Sequence, residues 1–390
     1  MPLKIVHVIT RLITGGADEN TVLSCNAQAA AGHEVWLVFG REHDAAMQAS
    51  VDPRVRAVVI PSIVRRIDPV RDALAIAGLV ALFRRIRPDI VHTHTSKAGI
   101  LGRVAAFLTG VRGVVHGFHI LPFMNEAPLQ RWFYKLAEKV VAPATHAFVS
   151  VSDAMRNAAL ESGLGRPEQH FTIASGMVLD RFTTAAPLSL SELEGAFGLT
   201  LARPPRLVLA ISALEKRKRI AELVRIIGGL GAGYSDVHLA VLGKGNQFGA
   251  LSEQIVRAGL RGRVHLLGFR SDVERWISTA EVCVICSLRE GLPRAIVQYA
   301  LGARPILCTE LPGVDRVVRQ GFNGYLVPPD RLDEMAPLLQ RLLSDGALRR
   351  EMAANARALD LSDWGVEKMT GALEVVYRDL LARAGDHVTH

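Results

Sequence analysis

The chain has 390 residues, a net charge of +8 (46 Lys plus Arg against 38 Asp plus Glu) and a hydrophobic share of 49%. That length accommodates two domains of ordinary size, and the composition excludes a disordered or low-complexity polymer. Apolar runs fall short of the ~20 residues that span a bilayer, and the N-terminal apolar stretch is too short for a signal peptide, so a cytoplasmic protein is expected.

Apolar runs alternate with helical periodicity from the start of the chain. In the first half, strands are predicted at 4–9, 34–39, 56–60, 89–92, 113–116 and 146–150. Helices are predicted at 18–31, 70–87, 97–108, 129–140 and 154–162, with Ser152 as the N-cap of the last. The pattern loosens at 183–205, around Arg203-Pro204-Pro205, which reads as a connection. A second alternating set has strands at 206–211, 237–242, 264–267, 281–286, 305–308 and 325–327. Its helices are predicted at 220–230, 248–258, 273–279, 293–301 and 314–320. Amphipathic helices at 332–343 and 348–359 and a closing helix at 366–384 complete the chain. Alternation of this kind implies parallel sheets covered by helices on both faces. The expected organisation is a Rossmann-like N-terminal domain at 1–183, a linker at 184–205, a second Rossmann-like domain at 206–362 and a C-terminal segment at 363–390.

Basic residues cluster at Arg65-Arg66 and at Arg84-Arg85 with Arg87. Such an excess suits anionic lipid or phosphorylated substrates as well as a solvated face. Nucleic acid is disfavoured, because no aromatic–basic interleaving accompanies the charge. Of the four cysteines, Cys283 and Cys286 form a Cys-x-x-Cys pair. The pair lies in a strand and lacks a second pair or His pair to complete a zinc set, so buried reduced thiols are expected.

The most specific segment runs Ser287-Leu-Arg-Glu-Gly-Leu-Pro-Arg-Ala-Ile-Val-Gln298. An apolar strand ends in a polar turn holding Glu290 and Gly291, and Pro293 opens a helix that carries Gln298. The N–H groups at that helix start suit an anion, and a carboxylate and an amide beside them can bind hydroxyls, together a seat for a nucleotide sugar. Elsewhere, Gly15-Gly16 begins the first helix, Ser212-Ala-Leu-Glu-Lys-Arg-Lys-Arg219 follows a strand, and Gly243-Lys-Gly245 and Gly268-Phe-Arg270 end two others. In the first half, His92-Thr-His-Thr-Ser-Lys97 and His116-Gly-Phe-His119 close apolar strands.

These motifs together resemble glycosyltransferase family 4, retaining enzymes of the GT-B fold. The donor-site segment is similar to the family's Glu-x7-Glu signature, with Gln298 in place of the second Glu. It is closest in pattern to a subgroup engaged in bacterial polysaccharide and exopolysaccharide assembly. The resemblance implies two Rossmann-like domains facing across a cleft, with the last helix packed back on the first domain. It implies a metal-independent transfer of a hexosyl unit, with a nucleotide sugar, preferably UDP-linked, as substrate and no cofactor. The acceptor implied is a glycan or a polyprenyl-linked saccharide, and the basic face would meet an anionic membrane at the inner leaflet.

Roles are implied residue by residue. Glu290 orients the donor sugar, Lys218 matches the family's phosphate lysine, and His119 matches a histidine near the reacting centre. Ala213 stands where the family has arginine. Gly15, Gly16, Gly243, Arg270, Gly291, Leu292, Arg294 and Gln298 are expected around the donor, and Lys97 and His116 around the acceptor. Two other classes keep the same cleft: an epimerase or phosphorylase, and a non-catalytic nucleotide-sugar binder favoured by the Gln298 and Ala213 departures.

Overall fold

The computed structural model describes residues 1–119, 121, 128–290 and 292–386. It divides into two compact units, Met1–Met177 with Asp363–His390, and Val178–Ser362.

The first unit contains strands β1 (Lys4–Val8), β2 (Glu34–Phe39), β3 (Arg56–Val59), β4 (Ile90–His94), β5 (Gly113–Phe118), β6 (Ala147–Ser150) and β7 (His170–Thr172). They pair in parallel in the order β3-β2-β1-β4-β5-β6-β7. The second contains β8 (Arg206–Ile211), β9 (Val237–Leu242), β10 (Val264–Leu266), β11 (Val282–Ile285), β12 (Ile306–Thr309) and β13 (Gly324–Val327). These are also all parallel, in the order β10-β9-β8-β11-β12-β13. Strands such as Val-His-Leu-Ala-Val-Leu in β9 are buried throughout, as a parallel sheet covered on both faces requires. Strand order reverses between β1 and β4 and between β8 and β11. In open parallel sheets, ligands bind beyond the carboxyl ends of the strands at such reversals.

Helices cover both faces of each sheet. In the second unit, Leu223, Val224 and Ile227 of the Ile220–Gly228 helix pack on Val208, Val282, Val284 and Leu307. Each fully buried side chain of this type contributes about 1.5–3 kcal/mol. The Val366–Asp386 helix belongs to the first unit, where Met369, Leu373, Val376 and Tyr377 pack on Ile5, Ile90, Val115 and Val149.

Several boundaries differ from the sequence expectation. The units divide at Met177 rather than at 183, and the segment read as a linker holds a helix, Leu190–Phe197. Its cause is local. Ser189 Oγ accepts from the Glu192 N–H at 3.3 Å, Glu192 accepts from the Ser189 N–H at 2.8 Å, and Gly198 ends the helix at φ 65°. The helix expected at 314–320 is a single 3-10 turn, Val314–Arg316. Asn323 binds the Arg319 N–H and the Val317 carbonyl, which ends the helical ladder there. Pro293 caps its helix rather than opening it, and Arg294 is the first helical residue. All four cysteines are buried free thiols, and burial pushes the Cys286 thiol up to about 12.

Candidate active site

In the second unit, the residues expected at the donor lie on the loops that leave the carboxyl ends of β8, β9, β10 and β11. Two of these loops are tied together. The Leu288 N–H donates to the Arg217 carbonyl at 2.8 Å, and Arg217 Nη1 donates to the Arg289 carbonyl at 3.3 Å. This brings Lys218 onto Glu290. Lys218 Nζ forms an ion pair with one carboxylate oxygen, and Ser287 Oγ donates to the other. Arg217 stands 4.0 Å from the same carboxylate. The lysine and glutamate side chains are only 11% and 12% exposed, so the pair is largely desolvated. Burial lowers the Lys218 pKa below the usual lysine value, with Glu290 opposing the shift. The Thr309 hydroxyl donates to the Ser287 carbonyl at 2.7 Å and fixes the base of the turn.

The β9 loop approaches the β8 loop closely. A Cβ at Gly243, at φ 147°, would stand 2.1 Å from the Ser212 carbonyl oxygen, and one at Gly245 would stand 2.3 Å from that of Leu214. Only glycine allows this approach. Gln298 is buried on the Arg294–Leu301 helix, and Leu292 and Arg294 are half-buried at its start. Arg270 is held bidentately by Asp272 at 2.9 and 2.7 Å, with its guanidinium 5.6 Å from the Trp276 ring. The charge expected to face the donor is thus already engaged in this structure. Gly291 lies outside the described residues.

In the first unit the expected residues gather beyond β1, β4 and β5. Gly15, in extended backbone, precedes the Gly16–Ala30 helix. Asp18 accepts from the Ile13 N–H at 3.1 Å, and burial pushes its carboxyl up to about 6. His116 Nδ1 lies 2.9 Å from Thr93 Oγ1, which also lies 3.2 Å from the Val115 carbonyl. A Cβ at Gly99 would strike the His116 ring at 2.4 Å. Lys97, expected near the acceptor, is not solvated. It is 8% exposed and pairs with Asp72 at 2.5 Å. Thr95, just ahead of it, is held at φ 61°, a strained setting for a β-branched residue, with its hydroxyl 2.7 Å from that of Thr10.

His119 ends a file whose other members include two residues the sequence reading did not single out, His7 and Gln28. His119 Nε2 lies 3.1 Å from His94 Nδ1, His94 Nε2 lies 2.9 Å from His7 Nδ1, and His7 Nε2 lies 2.8 Å from Gln28 Oε1. His94 lies at i+2 from His92 on a buried strand, so both face the same side, and His7 is the register partner of His92. Burial holds His7 down to about 4, and keeps His92, His94 and His116 well below the usual histidine value, so all four are neutral at pH 7. His92, His94 and His119 line a small cavity with Asn20 and Ser24.

Two family models match the two halves of the chain. The family model described as Glycosyltransferase Family 4 matches residues 14–180, and that described as Glycosyl transferases group 1 matches residues 196–359. The chain is 27% identical over 336 residues to the UDP-Gal:alpha-D-GlcNAc-diphosphoundecaprenol alpha-1,3-galactosyltransferase of Escherichia coli, covering 85% of this chain and 86% of that protein. It is 24% identical to the phosphatidyl-myo-inositol mannosyltransferase of Mycobacterium leprae, over 91% of each. Among solved structures, that of Anabaena HepE in complex with UDP and glucose superposes with a TM-score of 0.80 at 20% identity, covering 96% of this chain and 99% of that one.

Proposed function

The chain belongs to glycosyltransferase family 4 and has the GT-B fold, and on that basis we propose that it moves a hexosyl unit from a uridine diphosphate sugar to a lipid-linked or polysaccharide acceptor, with retention of configuration. The observation that carries the reading is the Ser287–Glu290–Lys218 constellation at the β8/β11 reversal. A largely buried ammonium held on a carboxylate can exchange that partner for a diphosphate. Glu290 is then released to accept hydrogen bonds from the sugar hydroxyls. Lys216, Arg217 and Arg219 flank the same loop and supply positive charge where a metal would otherwise neutralise the leaving group. Glu290 orients the sugar, and the leaving phosphate takes the proton of the acceptor hydroxyl. The E. coli relative's name specifies a UDP-sugar and a diphosphoundecaprenol acceptor, and HepE was crystallised with UDP and glucose. Both support the donor and acceptor classes proposed.

Thermal melting against UDP-, GDP- and TDP-linked sugars tests the donor assignment. A ligand at 100 times its dissociation constant stabilises the native state by about 2.7 kcal/mol. A rise with uridine-linked sugars, unchanged by EDTA, is the expected result; a rise only with guanosine- or thymidine-linked sugars contradicts it. Gln298 is proposed to hold the ribose. Gln298→Ala is expected to raise the donor KM about tenfold, the effect of a lost hydrogen bond to a buried partner, whereas Gln298→Glu is tolerated. Equal donor KM in wild type and Gln298→Ala would remove that role.

A lipid-linked acceptor requires work at a membrane surface. Arg65, Arg66, Arg84, Arg85 and Arg87 are all exposed. The Pro128–Val141 helix adds Trp132 (63% exposed), Leu136 and Val140 (70%) at successive helical turns, with Lys139 exposed beside them. Apolar and basic side chains so arranged suit the interface of an anionic bilayer. Co-sedimentation with phosphatidylglycerol vesicles is expected for wild type and to fall at least about tenfold in Trp132→Glu/Val140→Glu, given the cost of charge at a buried interface. Equal sedimentation of both proteins would contradict this docking.

A further inference from the structure

The three histidines and Gln28 form an end-to-end file. The rings of His119 and His94 have centroids 5.3 Å apart for a nitrogen separation of 3.1 Å. The rings of His94 and His7 have centroids 5.2 Å apart for 2.9 Å. The differences are close to the sum of the two ring radii, so the facing nitrogens lie close to the line joining the centroids. Each ring bonds its neighbour head-on.

A neutral imidazole carries its N–H on one nitrogen and its lone pair on the other. A bond made at one side of the ring therefore fixes the role of the opposite side. Gln28 Oε1 only accepts, so His7 donates from Nε2 and accepts at Nδ1. His94 must then donate from Nε2 and accept at Nδ1. His119 must in turn donate from Nε2. All three rings take the Nε2–H form, which neutral histidine already prefers in water. The second half of the Gln28 amide agrees. Its N–H donates to the Tyr377 hydroxyl at 3.4 Å, leaving that hydroxyl to donate to His92 Nδ1 at 2.6 Å.

We propose that Gln28 is a positioning residue that sets the tautomer of His119 through His7 and His94, so that the lone pair of His119 is held on Nδ1. Resting on the resemblance that places His119 near the reacting centre, this makes His119 an acceptor toward a hydroxyl there rather than a donor. The direction of a hydrogen bond at the reacting centre is thus fixed from the Gly16–Ala30 helix, two rings away from His119.

A bound ion is the competing account, since ring nitrogens of His7, His92 and His94 lie within 4.8 Å of one another. Ligation needs lone pairs that converge on one point. The His7 and His94 nitrogens aim at each other instead, so the file is the better description.

Nitrogen-15 NMR of the full chain labelled at histidine reads each ring nitrogen directly and needs neither donor nor acceptor. In wild type at about pH 9, where imidazoles are neutral, His7, His94 and His119 are each expected as Nε2–H. Gln28→Leu and His7→Phe should each turn His119 into a mixture of tautomers, while Tyr377→Phe should leave it unchanged. Any of the three rings in the Nδ1–H form in wild type overturns the proposal, and that result is obtained even where a variant fails to fold. So does an unaltered His119 in folded Gln28→Leu. Stoichiometric zinc binding that shifts the nitrogens of His7, His92 and His94 also overturns it and assigns the cluster to an ion. With the tautomer shift in place, Gln28→Leu should lower kcat about five- to tenfold, the effect of one hydrogen bond. A tautomer shift with unchanged kcat would instead remove His119 from the transfer reaction and leave the relay standing.

Discussion

Glu290→Ala is expected to lower kcat for sugar transfer by about two to three orders of magnitude, the usual effect of deleting one preorganised polar group at a reacting centre. Two consequences of the structure add up here. The variant removes the carboxylate proposed to orient the sugar hydroxyls, and it leaves Lys218 largely buried without its Glu290 partner. Lys218→Ala should lower kcat by a similar factor, because it removes the cation proposed to meet the leaving diphosphate. The two residues act as one unit in the free protein, so their effects should not add. The double variant is expected to be only a few-fold worse than either single one. Full additivity in kcat would mean that the ion pair seen here has no part in transfer. Glu290→Gln separates charge from shape, since the amide can still accept from Ser287 while losing its attraction for Lys218.

Arg103→Met is expected to destabilise the first unit by about 3–5 kcal/mol, a fall in melting temperature on the order of 10 °C. Arg103 and Glu138 are both wholly buried, with Nη2 2.6 Å from Oε2. Arg103 also donates from Nε to the Gly99 carbonyl at 2.8 Å and from Nη1 to Thr145 Oγ1 at 3.3 Å. The pair clips the Ser96–Leu108 helix to the Pro128–Val141 helix. Removing the arginine leaves a buried carboxylate with nothing to neutralise it, and that is the source of the cost. Arg103→Met/Glu138→Leu, which removes both charges, should recover most of the loss, and a double variant as unstable as Arg103→Met would contradict this cause. The Gly99 carbonyl it holds lies on the residue that abuts His116, so Arg103→Met should also disturb that ring.

Nearly all strands were legible because each is a buried apolar run closed by a polar or glycine turn, a signal that needs no tertiary information. β7 was not, being three residues, His-Phe-Thr, with no run to detect. The Leu190–Phe197 helix was legible in principle, since Ser189-x-x-Glu192 and Gly198 mark both its ends, but the flanking prolines and serines outweighed them. The candidate site divides the same way. Glu290, Lys218 and the glycines of the β9 loop sit in local motifs, and a local motif survives in sequence. Their pairing does not: the meeting of Lys218 with Glu290 depends on two loops 72 residues apart, as the Arg217–Arg289 bond records. Lys97 shows the same limit. Nothing near it in sequence announces that Asp72, on a neighbouring helix, will hold its charge. Gln28 lies 21 residues from His7 and carries no motif at all, so its part in the histidine file is visible only once the Gly16–Ala30 helix is packed on the sheet.

Transfer itself tests the central claim most directly. Radiolabelled UDP-galactose, UDP-glucose and UDP-N-acetylglucosamine would each be incubated with the full chain, EDTA and a synthetic polyprenyl-diphosphate-linked N-acetylglucosamine, with Glu290→Ala in parallel. Label moving from one of these donors to the lipid-linked sugar in an alpha linkage, and failing to move with Glu290→Ala, is the result expected. Activity that depends on added metal, a product of inverted configuration, or equal transfer by Glu290→Ala would contradict the account.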